Sequence, residues 1–234
     1  MLRRLTYIAN IFLLVMVAVA QQPAVPAAHP AHAAEPAQSP DKIWSDLVDG
    51  NKRFVAGQLM PQPVVKVRES LTKSQHPKAM VLSCSDSRVP PELVFDQTLG
   101  DLFVVRAAGN IAGPLGLASL EYAFDHLGST VLVVLGHTKC GAVTAACSGE
   151  KMPTANLQAM VDQIDPAVKK VKGSATGDAL IEAAIQENVH ESARDVMMHS
   201  EVLRRAKEQG KLTVIEAEYQ LDTGEVVRLD KAGQ

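Results

Sequence analysis

"STVLVVLGHTKCGAVTAAC", from Ser129 to Cys147, passes from an unbroken apolar run into a helix-forming stretch with one short polar turn between them. An apolar run without polar alternation reads as a strand covered on both faces, as in a parallel sheet. The immediate switch to helix makes the stretch a strand–helix unit. His137 closes its strand and Cys140 opens its helix. Working upstream, "AMVLSC" (Ala79–Cys84) and "DLFVVRA" (Asp101–Ala107) read as two further buried strands. "GPLGLASLEYAFDHLG" (Gly113–Gly128) reads as a helix with Pro near its start and Gly at its end. Asp41–Gln58 has helical spacing interrupted at Gly50.

Downstream, helices are expected over Gly141–Cys147, about Asn156–Lys172, and Asp178–Glu208. In the last, Ile181, Ile185, Val189, Ala193, Val196 and Met197 share one face. "KLTVIEAEYQL" (Lys211–Leu221) and "EVVRL" (Glu225–Leu229) close the chain as strands joined by "DTGE". Strands alternating with helices predict an α/β fold, a mostly parallel central sheet flanked by helices, forming a single domain over residues 41–234.

The N-terminus carries a different signal. Arg3 and Arg4 precede the apolar run "LTYIANIFLLVMVAVA", which ends in the small-x-small site "AVA" (Ala18–Ala20). This reads as a signal peptide over residues 1–20, with "AHA" (Ala31–Ala33) moving the cut as late as residue 34. An uncleaved anchor is the alternative, although the run is short for a bilayer span of about 20 apolar residues. Residues 21–40, rich in Ala and Pro, read as a flexible linker. The expected address is the periplasm or the cell exterior, with no membrane association once the signal is cleaved. Of 234 residues, 47% are hydrophobic and 21% charged, with net charge -3. Such a balance supports a sizeable core and offers no basic stripe to a nucleic acid. Aromatics make up 4%, so the core is mainly aliphatic.

An exported chain tends to pair its cysteines. There are three: Cys84, Cys140 and Cys147. One reading is a Cys84–Cys140 disulfide with Cys147 left over. The other is a metal centre, because sites in open parallel sheets form where strands end. Cys84 and His137 close two strands and Cys140 follows at once. Two thiolates and one imidazole suit zinc, and three protein ligands leave the open position of a catalytic zinc. Cys147 is expected to pack in the core. No C-x-x-C suggests a redox pair.

"CSDSR" (Cys84–Arg88) and "HTKCGA" (His137–Ala142) resemble the two motifs of the β-class carbonic anhydrases. The similarity runs from about Asp41 to Leu229 and takes in "FVVRAAGNI" and "LASLEYAFDHLG". It implies one Zn2+ per chain on Cys84, His137 and Cys140, and reversible hydration of CO2 to bicarbonate and a proton by zinc-bound hydroxide. Asp86 would orient that hydroxide, and Arg88 would hold Asp86 and keep it ionised. Gln75 matches a substrate-binding glutamine, and Phe103 and Tyr122 match aromatics lining the CO2 pocket. The resemblance further implies a homodimer or a multiple of dimers. A subclass that moves Asp86 onto zinc as a fourth ligand carries Trp and Gly where this chain has Val81 and Ser83, so an open site with an Asp86–Arg88 pair is expected. Hydrolysis of carbonyl sulfide or carbon disulfide on the same fold, and a non-catalytic zinc protein, are the rival readings. His76, His126, His190 and His199 are expected to be solvated or satisfied, with a proton shuttle among them left open.

Overall fold

The computed structural model describes residues 38–229. The expected signal peptide, both cleavage sites and most of the linker lie outside them. Helix α1 (Pro40–Val55) opens at the last residue assigned to that linker. Pro40 takes the first helical position, and the Ser39 side chain accepts the Lys42 amide at 3.2 Å. The helix runs through Gly50 without the expected interruption. A Cβ there would sit 1.8 Å from the Phe95 carbonyl oxygen, so the glycine marks close packing, not a break.

The short helix α2 (Val64–Ser70) precedes β1 (Ala79–Ser83), and α3 (Pro91–Val94) separates β1 from β2 (Leu102–Arg106). A 3-10 turn at Ala108–Asn110 leads to α4 (Pro114–Asp125), β3 (Val131–His137) and α5 (Gly141–Ser148). Helices α6 (Ala155–Val171), α7 (Asp178–His199) and α8 (Glu201–Glu208) follow, then β4 (Thr213–Tyr219) and β5 (Val226–Arg228). The run expected as one helix over Asp178–Glu208 is two. It breaks at Ser200, whose extended backbone lets its hydroxyl accept the Leu203 amide and donate to Glu121 Oε1 at 2.6 Å.

The sheet order is β2-β1-β3-β4-β5, parallel except for β5, which pairs antiparallel with β4. Every residue of β1 and β3 is buried, as their unbroken apolar runs require. Val81, Val131, Val133 and Leu135 pack on one face with Leu47 of α1 and Phe95. Met80, Leu82, Leu132 and Val134 pack on the other with α4, α7 and α8. Each such side chain contributes about 2 kcal/mol by leaving water. The reading of β2 as a buried strand is corrected. It forms the sheet edge, its residues are half-buried or exposed, and its apolar run covers one partner strand only. No helix among the described residues is long and apolar enough to cross a membrane.

Parallel register aligns the carboxyl ends of four strands. Ser83 stands opposite Arg106 on one side and Leu135 on the other, and His137 stands opposite Tyr219. Cys84, one residue beyond β1, therefore emerges beside the end of β3. A third apolar cluster, supplied by α5, α6 and α7, closes over this edge and includes Cys84 and Cys140.

Candidate active site

After His137 the chain turns through Thr138 and Lys139, the latter at φ 57°, and places Cys140 as the N-cap of α5. The turn is tied to β4: the Thr138 amide donates to the Tyr219 carbonyl at 3.0 Å, and its hydroxyl accepts the Leu221 amide at 2.9 Å. Cys84, His137 and Cys140 are all buried, and their ligand atoms lie within 4.8 Å of one another. The two sulfurs are 4.0 Å apart and unbonded, and all three cysteines are free thiols, so the disulfide reading does not hold here. Cys147 is partly buried and packs against the same cluster.

The histidine's protonation follows from its partner. Its Nδ1 is 2.9 Å from the Thr138 carbonyl, which can only accept, so Nδ1 carries the proton. Nε2 then presents a lone pair, is fully buried, and has no hydrogen-bond partner. An orphaned acceptor of this kind is costly unless something electropositive fills the space in front of it.

The sulfurs are polarised in opposite directions. The two thiols share one hydrogen bond that either can donate; with Cys140 as donor it is the main cause that lowers Cys84 to about 4, burial opposing this and the Gly109 amide supporting it. Cys140 is pushed up, first by that shared hydrogen bond and then by burial, although the Ala142 and Val143 amides at the start of α5 favour its anion. One thiolate forms readily and the second is suppressed. A bound cation would favour the anionic form of both. Two sulfurs and one imidazole lone pair converging in a buried space are a donor set that fits zinc with an open position.

Asp86 sits beside this cluster. Its Oδ1 accepts the Arg88 amide and Nε, each at 2.9 Å, and its Oδ2 accepts an Arg88 terminal nitrogen at 2.8 Å. Those hydrogen bonds hold its carboxyl well below the usual carboxylate range against a smaller opposing effect of burial. Oδ2 keeps a lone pair and lies 3.9 Å from His137 Nε2.

Sequence reasoning missed Arg106 and Gly109. Arg106 donates to the Cys84 carbonyl at 3.0 Å and the Asp86 carbonyl at 2.6 Å, fixing the loop that carries both. The Gly109 amide donates to Cys84 Sγ at 3.3 Å. The available signal was Gly109-Asn110 directly after a strand, a pair suited to the positive φ angles of 76° and 48° found there.

The remaining predicted residues lie elsewhere in the chain. Gln75 is exposed on the loop before β1. Phe103 pairs with Met80, roughly 13 Å of strand away from Cys84. Its ring is 6.4 Å from that of Tyr122, which is 46% exposed on α4. The histidines have local partners: His126 stacks on Tyr122, His190 Nδ1 meets the Glu216 carboxylate, and His199 Nδ1 meets the Asp195 carbonyl.

A sequence profile of the family described as carbonic anhydrase matches residues 79–226, a span holding every member of the cluster together with Asp86 and Arg88. The chain belongs to the carbonic anhydrase family. Carbonic anhydrase 2 of Mycobacterium tuberculosis is 37% identical over 202 residues, covering 85% of this chain and 97% of that protein. The carbonic anhydrase of Mycolicibacterium smegmatis is 37% identical over 195 residues, covering 82% and 94%. Among solved structures, the β-carbonic anhydrase CafA of Aspergillus fumigatus superposes with a TM-score of 0.66 at 26% identity, covering 82% of this chain and 92% of that one. The Coccomyxa β-carbonic anhydrase, solved with acetazolamide, gives 0.64 at 26% identity, covering 79% and 85%. The parallel sheet with helices on both faces is thus the β-carbonic anhydrase fold.

Proposed function

We propose that this carbonic anhydrase reversibly hydrates CO2 to bicarbonate and a proton, with one Zn2+ per chain held by Cys84, His137 and Cys140. The observation that carries the reading is the orphaned, buried Nε2 of His137 facing two thiols. A zinc ion there supplies Lewis acidity that brings a water molecule to its hydroxide form near neutral pH. Two thiolates cancel the dication's formal charge, so this donor set makes a weaker Lewis acid than three neutral imidazoles, and orientation of the nucleophile gains importance. Asp86 Oδ2, 3.9 Å from His137 Nε2, would accept the hydrogen of that hydroxide and so orient its lone pair toward the CO2 carbon. Arg88 holds the carboxylate in two places and keeps it ionised. While that grip lasts, Asp86 stays off the metal, which supports the open form of the site, in keeping with Val81 and Ser83.

The pocket is completed by a second copy. Strand β2 is an edge, and apolar Leu99, Leu115 and Tyr122 are exposed near it or on α4. A two-fold axis across β2 sets the copies antiparallel, so the Leu102 end of one meets the Arg106 end of the other. Phe103 and Tyr122 of one copy then approach the metal ligands of its partner, with Gln75 the proposed contact to the substrate oxygen. The apolar N-terminal run supports export to the periplasm or cell exterior. The test is metal analysis with stopped-flow CO2 hydration on the mature protein. About one zinc per chain is expected, lost together with activity in Cys140→Ala. Full zinc in that variant overturns the ligand set.

A further inference from the structure

Linked to Cys84 through Gly109 lies a buried polar cluster that the hydration chemistry does not use directly. Asn188 and Ser192 stand one turn apart on α7 and face the 3-10 turn that follows β2. Asn188, Asn110 and Ser192 are 1%, 2% and 3% exposed. The Asn188 amide lies 2.8 Å from the Gly109 carbonyl, which can only accept, so the atom facing it is Nδ2. The same nitrogen is 3.5 Å from Asn110 Oδ1, and Asn110 Nδ2 donates to Ser192 Oγ at 3.3 Å. The peptide clamped in this way has positive φ at both Gly109 and Asn110. The Gly109 N–H, on the peptide just before it, is the one that donates to Cys84 Sγ.

Asn188 is poorly compensated for its burial, because its Oδ1 has no partner. A leucine would fill similar space without leaving a polar atom stranded. What the asparagine supplies, and leucine cannot, is a donor to the Gly109 carbonyl, which holds the residue whose own N–H, on the preceding peptide, is aimed at sulfur. We propose that Asn188 is a positioning residue that acts through Gly109 on Cys84, setting how strongly that sulfur donates to a bound metal. The proposal rests on the reading of Cys84 as a metal ligand. An N–H···S bond draws electron density from a thiolate, so the metal it binds remains a stronger Lewis acid. This offsets part of the weakening caused by two sulfur ligands. Partners outside the ligand shell of this kind typically change metal affinity or activity by 10- to 100-fold.

The test uses the protein loaded with 113Cd in place of its native metal and labelled with 15N. If Cys84 is a ligand and Gly109 is bonded to its sulfur, the Gly109 amide proton shows scalar coupling to 113Cd through that hydrogen bond. Asn188→Leu should bind cadmium but lose the coupling. In the cobalt-loaded form, its sulfur-to-metal charge-transfer band should move to lower energy. Ser192→Ala, which removes only the more distant anchor, should shift both signals in the same direction by less. Absence of cadmium binding by Cys84 rejects the metal reading itself. Cadmium bound by Cys84 with no Gly109 coupling in the unmutated protein rejects this proposal alone. So does a folded Asn188→Leu protein with coupling and cobalt spectrum unchanged. If Asn188→Leu fails to fold, the unmutated protein and Ser192→Ala still decide, and unchanged signals in Ser192→Ala then count against the clamp.

Discussion

Asp86 and Asp96 lie ten positions apart in the chain, and each is gripped by an arginine, yet the two pairs do different work. Arg88 reaches Asp86 from two residues away, and its own side chain is 55% exposed. Arg53 reaches Asp96 from 43 residues away on α1, with Nε at 2.5 Å, and the Asp96 side chain is only 3% exposed. Both Asp96 oxygens also accept the Met60 amide at 3.2 Å. That carboxylate is consumed in joining α1, the segment before α2 and the loop after α3. Asp86 keeps a lone pair on Oδ2, which lies 3.9 Å from His137 Nε2 in the Cys84–His137–Cys140 cluster. An ion pair serves stability where its acceptors are spent on distant backbone and side chains. It serves chemistry where one acceptor is left over and points into a site.

The comparison predicts that the same substitution separates rate from stability. Asp86→Asn should keep the fold and the metal but lose roughly a hundred-fold or more in CO2 hydration. Stopped-flow rates with parallel thermal melts check this. An unchanged rate would reduce Asp86 to a structural role. Asp96→Asn keeps a side chain that tolerates the positive φ of 48° found there and removes only the charge. Loss of one partner of a buried pair costs roughly 3–5 kcal/mol, less where the other partner reaches water, as Arg53 does at 32% exposure. About 2 kcal/mol, or roughly 6 °C in Tm, is expected, with the rate per folded molecule preserved. A variant that melts normally but loses activity would erase the distinction.

A third carboxylate sharpens the comparison because it has no arginine. Glu218 on β4 is buried, its Oε2 accepts Gln220 at 2.7 Å and Gln186 at 3.5 Å, and its Oε1 has no partner. Burial, the largest influence, raises its pKa above the ordinary 4.5, against the two glutamines. A raised folded value favours the protonated acid in the folded state. The stability it contributes is therefore present below about pH 4.5 and is lost as pH rises through the folded value. Asp86 has the opposite sign: its folded value is depressed, so its contribution holds above the unfolded value of 3.8 and is lost only in strong acid. Glu218→Gln should accordingly gain Tm relative to the unmutated protein as pH goes from 4 to 7, by at most about 3 °C. A gap that narrows over this range would show that the buried acid is stabilised as its anion.

Much of the site was legible in the sequence because its determinants are local. The apolar runs of β1 and β3 identify strands covered on both faces, and Cys84, His137 and Cys140 fall at their ends by position in the chain alone. The Asp86–Arg88 pair is legible for the same reason, with donor and acceptor two positions apart. Only the tertiary structure decided that Gly50 continues a helix pressed against the Phe95 carbonyl, that Ser200 divides α7 from α8, and that β2 is an edge. Only it set the tautomer of His137, through a carbonyl held in place by β4. The Arg106, Gly109 and Asn188 contacts span 22, 25 and 79 residues. Hydrophobic periodicity reports which side of a helix or strand is covered, a property of neighbours two to four residues apart. A hydrogen bond is made or lost within a few tenths of an ångström, and across such separations that distance is set by strand register and helix packing.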